Sequence, residues 1–233
     1  MSEFLQFSVT GLTIGSIYAI VALGFVTIYS VTKVINLAQG EFVMLGGMIM
    51  FSFLGIGLNY WLSFLFTLFV VMALAWVMEA GIIRRAKGAD PLSLIILTIG
   101  TAIFLRGIAS VIWGKGQVRV PAFTSNDPIQ VGSASITPQS LWVVLIMLFI
   151  VIFLYILIDK TMIGKAFQAC SVNPAAARLM GISPTKMSSF SFTLSGGLGA
   201  LAGLAVAPVL FPSYDMGMLL GLKGFSAAIF GGL

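Results

Sequence analysis

Residues Leu141–Ile158 read LWVVLIMLFIVIFLYILI, eighteen positions without a charge or an amide. An amphipathic helix of a soluble protein would show a polar stripe; this run is apolar all round. A helix needs about 20 mostly apolar residues to cross a bilayer, with a range of roughly 17–25. Five more stretches meet that requirement: Leu5–Val31, Phe42–Leu58, Trp61–Ile83, Pro91–Trp113 and Met187–Phe211. A seventh begins near Phe225 and is cut by Leu233, so the sequence reads as truncated at its C-terminus. The runs are continuous and do not alternate, which excludes barrel strands. The expected fold is an all-α integral membrane protein, a polytopic transmembrane helix bundle forming a single domain over residues 1–233.

Composition agrees. Hydrophobic residues make up 59% of the chain and charged ones 8%, against about 25% charged in an average soluble domain; mean hydropathy is +1.11. A soluble enzyme, a disordered chain and a disulfide scaffold are all excluded. Cys170 is the single cysteine and histidine is absent, which removes the commonest general base and metal ligand. No catalytic residue and no metal site are expected. The net charge of +5 comes from basic residues in short loops, which calls for no nucleic-acid partner.

Those loops orient the chain. Arg84, Arg85 and Lys87 lie in one connection, and Lys160, Lys165, Arg178 and Lys186 in another, two spans later. Positive charge collects on the cytoplasmic side, so both are expected there. Counting back places the N-terminus, which carries only Glu3, outside. Counting forward places Pro212–Gly224 outside as well.

Within the spans, Gly11 and Gly15, and Ser195, Gly199 and Gly203, have the small-residue spacing that lets helices pack closely in lipid. Arg106 falls 15 residues into its span, about 22 Å along the helix. Snorkelling to the outer interface and a partner inside the bundle are both open for it. Glu41 and Glu79 read as terminal residues in reach of water, at depths that do not match Arg106. Lys33–Glu41 brings Asn36, Gln39 and Gly40 between two apolar runs. Irregular backbone at membrane depth is tolerated where protein or water covers it, and broken helices often line transport paths. A plain cytoplasmic turn fits the same spacing.

The loop 159–186 carries a helix of its own. Asn173 is suited to an N-cap with Pro174 at the first helical position, Ala175–Met180 to a short helix, and Gly181 to its stop. Such a helix is a docking element presenting Arg178 and small residues, or else a connector lying against headgroups.

Ala176, Ala177 and Gly181 resemble the EAA-type loop of ABC importer permeases, with Ala175 where the usual glutamate stands. The chain resembles, more closely, the permeases of branched-chain amino acid importers. The motifs that carry the resemblance are Gly15-Ser16-Ile17-Tyr18-Ala19-Ile20, Ile35-Asn36-Leu37-Ala38-Gln39-Gly40-Glu41, Met162-Ile163-Gly164-Lys165-Ala166, Arg178-Leu179-Met180-Gly181-Ile182, and Lys223-Gly224-Phe225 with Gly231-Gly232. Gln39 stands where many members have histidine. The resemblance implies a multi-pass permease of the bacterial inner membrane. It implies pairing with a second, homologous permease, two cytoplasmic ATP-binding cassette subunits and an external substrate-binding protein. Residues Ala175, Ala176, Ala177, Arg178 and Gly181 would form the coupling helix, and Tyr18, Asn36, Gln39 and Gly40 are candidates for the path.

The chain contains no G-x-x-x-x-G-K-[ST] phosphate loop, so it is not expected to be an enzyme. ATP and Mg would be bound by the partner subunits, and no cofactor by this chain. The alternatives are an ATPase-independent secondary transporter or channel, which would be expected to carry intramembrane carboxylates or a charged ring, and, as substrate, urea or short amides.

Overall fold

The computed structural model describes residues 2–233 except 87, 89, 125, 126, 132 and 133. Helix α1 spans Ser2–Thr32 and α2 Gln39–Gly55. Helix α3 covers Tyr60–Met78 and continues to Ile83 through a widened turn in which Arg84 N donates to Glu79 O. Helix α4 is Pro91–Trp113; α5 is Pro138–Tyr155 and continues through another widened turn to Lys160. Then come α6 (Met162–Val172), α7 (Pro174–Leu179), α8 (Pro184–Leu210) and α9 (Met216–Phe230). A short antiparallel ribbon pairs Ile129–Val131 (β1) with Ala134–Ile136 (β2) before α5.

Among the described residues five helices are long and apolar enough to cross a membrane: Gln6–Thr32, Tyr60–Ile83, Leu92–Trp113, Pro138–Lys160 and Pro184–Leu210. Helices α2 and α9, of 17 and 15 residues, are shorter. Two expectations change accordingly. The second run starts at Gln39 and ends at Gly55, so it is not a full crossing from Phe42 to Leu58. The seventh starts at Met216, inside the stretch read as an outer connection, because Gly217, Gly221 and Lys223 disguise a helix that packs through its small residues Gly217, Gly221, Gly224 and Ala228 and through Leu220. The connection between α8 and α9 shrinks to residues 211–215.

Helix α8 is the axis of the bundle, and its sequence explains why. Ser195, Gly199 and Gly203 lie on one face and are packed against α2: a Cβ on Gly199 would meet Phe42 Cβ at 2.5 Å, and one on Gly203 would collide with the Val43 carbonyl. These registers rise together, so α2 and α8 run parallel. Ala75 beside Gly196, and Glu79 beside Ser188, show α3 running antiparallel to α8. Gly24 beside Ser195 and Val31 clustered with Met187 give α1 the same sense as α3. Close approach of this kind is how helices associate in lipid, which offers no hydrophobic drive between them. Gly11 and Gly15, expected to pack likewise, face open space.

Helices α3, α4 and α5 show apolar outer faces, with Phe69, Phe104 and Phe149 all well exposed. A soluble protein would not tolerate such surfaces. In hydrocarbon they cost nothing.

Candidate translocation site and coupling helix

The loop between α5 and α8 folds from local chemistry. Thr161 accepts from Gly164 N and caps α6. Asn173 Oδ1 accepts from Ala175 N and Ala176 N, each at 3.0 Å, capping α7 with Pro174 in its first turn. Gly181, at φ +81°, takes the left-handed conformation that stops the helix, and Ile182 N returns to Ala177 O. The expected helix is therefore present. Helix α6, ahead of it, had no signal strong enough to separate it from a loop. Ala177 is buried, clustered with Phe167 and Cys170, while Ala175, Ala176, Arg178 and Gly181 are exposed. Val172, Leu179 and Met180 stand out from the same surface, each more than 80% exposed. Sequence reading missed these three because an apolar residue beside a membrane segment carries no distinguishing mark.

The connection from α1 to α2 is irregular and enclosed by protein. Asn36 Oδ1 accepts from Ala38 N, turning the chain so that Gln39 begins α2. Leu37 N donates to Thr98 Oγ1 on α4, and two turns further up α4 Arg106 Nη2 meets Glu41 Oε1 at 2.6 Å. Thr98 and Arg106 lie about 10 and 22 Å along α4, so α2 starts inside the bundle. This overturns the assignment of Glu41 to water: its side chain is 1% exposed and pairs with Arg106, which is 24% exposed. The depths match because α2 begins well below the surface from which its span was counted. Glu79 is likewise fully buried, held by Arg84, Ser188 and Ser189. The bundle thus contains two buried carboxylates after all, each paired with an arginine.

Gln39, fully buried, joins three helices. Its Nε2 donates to Ser195 O, and its Oε1 and the Gly24 carbonyl share the Ser195 hydroxyl at 2.6 and 2.8 Å. Gly40 lies against the backbone of Gly217 and Gly221, where no Cβ fits. Gln39 and Gly40 are therefore packed into helix crossings, Asn36 is buried in the connection before α2, and none of the three lines either of two cavities. The smaller, about 310 Å³ between α2, α4 and α9, contains the Glu41–Arg106 pair among apolar walls. The larger, about 600 Å³, lies between α1 and α9 and reaches the 117 and 213 connections. Tyr18 lines it, 5.4 Å from the Lys223 ammonium to ring centroid, and Asp215 lies at the start of α9. Neither Lys223 nor Asp215 was recognised as a cavity residue, since α9 itself was read as loop.

A helix bundle with lipid-facing apolar surfaces, two buried acids paired with arginines and a capped helix outside its long spans is built as a membrane permease. The family model described as the permease component of the branched-chain amino acid transport system matches residues 7–233, and the chain belongs to that family of ABC importer permeases. It is a multi-pass membrane protein and a permease subunit of an ABC importer. The high-affinity branched-chain amino acid permease LivH of Salmonella typhimurium is 29% identical over 99% of this chain and 79% of its own length. A probable branched-chain amino acid permease, LivH of Methanocaldococcus jannaschii, is 32% identical over 94% of the chain and 71% of its own. The ribose import permease RbsC of Haemophilus influenzae is 31% identical over 93% and 66%. No solved structure matches the chain.

Proposed function

We propose that the chain carries a branched-chain amino acid, or a similar small apolar zwitterion, across the bacterial inner membrane, driven through α7 by ATP-hydrolysing partners. The N-terminus lies outside and the loop 159–186 in the cytoplasm, following its basic residues. A second permease chain, two cytoplasmic ATP-binding subunits that hold ATP and Mg, and an external binding protein complete the assembly. The substrate class rests on the names of the LivH relatives. The ribose relative marks the alternative, a neutral polar solute.

One observation carries the coupling role. Leu179 and Met180 are exposed beside Arg178 on a capped helix joined to the rest of the protein through Ala177. An apolar patch at that place requires a cover, and a groove on an ATP-binding subunit supplies one. Closure of that subunit would move α7 and, through α8, the whole bundle axis. The energy must come from differential contact with the two states of the ATPase. The test is substrate-stimulated ATP hydrolysis by the assembled transporter after replacing Arg178 or Gly181. Coupling should drop at least tenfold while assembly persists; unchanged coupling in an intact assembly rejects the role.

A further inference from the structure

We propose that the α1–α9 cavity is a water-filled part of the translocation path and that Lys223 receives the carboxylate of the solute there. The identity of that solute rests on the amino-acid reading above; the aqueous, anion-attracting character of the cavity does not.

Lys223 is the middle residue of α9, seven positions from either end. Its ammonium sits over Tyr18, close to the centre of the Gln6–Thr32 span. A lysine stem reaches roughly 6 Å, whereas the middle of a bilayer core about 30 Å thick lies about 15 Å from either surface. Snorkelling does not bring this charge to an interface. Among the described residues no carboxylate pairs with it, and its side chain is exposed. The cation–π attraction of the Tyr18 ring is weaker than the cost of holding a lysine charge at the centre of a membrane helix. Water or an anion must make up the rest.

The cavity around it suits both. Its volume of about 600 Å³ falls within the roughly 300–1,000 Å³ range of ligand sites. Apolar walls from Ile17 and Leu220 face hydroxyl groups of Thr13, Tyr18 and Ser140. The Thr13 hydroxyl donates to Val9 O within its own helix, which leaves its lone pairs for water. Asp215 lies eight residues, about 12 Å, from Lys223 along α9. Both side chains line the same cavity, so it carries a charge of each sign. A purely lipid-covered face would place neither of them here.

The experiment uses the complete transporter, with partner subunits and binding protein, in proteoliposomes. Cys170, the single cysteine of this sequence, is buried, and the unaltered transporter labelled in parallel sets the background. Thr13→Cys and Tyr18→Cys are expected to react with a charged, water-soluble methanethiosulfonate at least tenfold faster than Phe104→Cys on the outer face of α4. At position 18 the anionic reagent should outpace the cationic one, and adding Lys223→Met should abolish or reverse that preference. Lys223→Met should also cut leucine uptake at least tenfold, with Lys223→Arg retaining most of it. Labelling at 13 and 18 as slow as at 104 overturns the water-filled path; full leucine uptake by Lys223→Met overturns the carboxylate contact. If Lys223→Met fails to assemble, the reagent preference at Tyr18→Cys with Lys223 in place decides: no anionic preference rejects the site. If the unaltered transporter moves no leucine while the labelling pattern holds, the amino-acid reading fails and the anion-attracting path stands.

Discussion

Glu41 and Arg106 are 65 residues apart in the chain and 2.6 Å apart in space. Removing one member of a buried pair strands the other, at a cost of about 3–5 kcal/mol, whereas replacing both with apolar residues is close to neutral. Arg106→Met should therefore lower the Tm of the purified transporter sharply, and Glu41→Leu combined with Arg106→Met should recover much of the loss. With Glu41→Leu alone completing the set of four, additive losses in thermal unfolding would show that the two residues act independently. Gly203 poses the opposite problem, because the Val43 carbonyl occupies the place of any Cβ. Gly203→Val should cost about 1–3 kcal/mol by overpacking, read in the same measurement. The residue type at both sites is legible in the sequence, but the partners are not. Pairing across α2 and α4 depends on where α2 begins, and counting from span ends placed that start at the membrane surface.

Helix α7 shows which elements can be read directly. Asn173, Pro174 and Gly181 act within the helix they delimit, so their chemistry survives without any tertiary knowledge. Helix α9 could not be read that way: two glycines and a lysine within its first eight residues look like a turn until Gly40 is seen lying against Gly217 and Gly221. The order of the apolar runs gave the bundle correctly because apolar length is a demand of the membrane alone. The residues suggested for the path stand apart: of Tyr18, Asn36, Gln39 and Gly40, only Tyr18 lines one of the two cavities. At this scale Asn173→Ala should destabilise α7 by about 1 kcal/mol, seen as faster amide hydrogen exchange across 174–180. Asn173→Asp, which keeps the accepting oxygen, should exchange as the unaltered protein does. Cys170 beneath α7 is buried, and burial pushes its thiol pKa up. It should react with maleimide at pH 7 only when α7 opens, and Asn173→Ala should accelerate that reaction.

Across the whole molecule, burial is distributed unevenly. Helix α8 is two-thirds buried over its most apolar window, α4 and α5 about a fifth. The bundle is organised around one axis, with α3, α4 and α5 turning apolar faces outward. Single-tryptophan variants of the reconstituted transporter should report this. Trp76 on α3 is half exposed and should be quenched strongly by brominated lipid. Trp113, whose indole donates to Ser52 on α2 at 2.6 Å, should be quenched far less. Equal quenching would mean that the outer face of α3 is covered by protein.

The meeting of Glu41 with Arg106 also sets a timetable. A ribosome adding about 5–20 residues per second needs roughly 3–13 s to make the 65 residues between them. Throughout that interval the nascent chain holds an uncompensated acid near the start of a helix of 17 residues. Settling of α2 at its final depth therefore waits for α4 to be made.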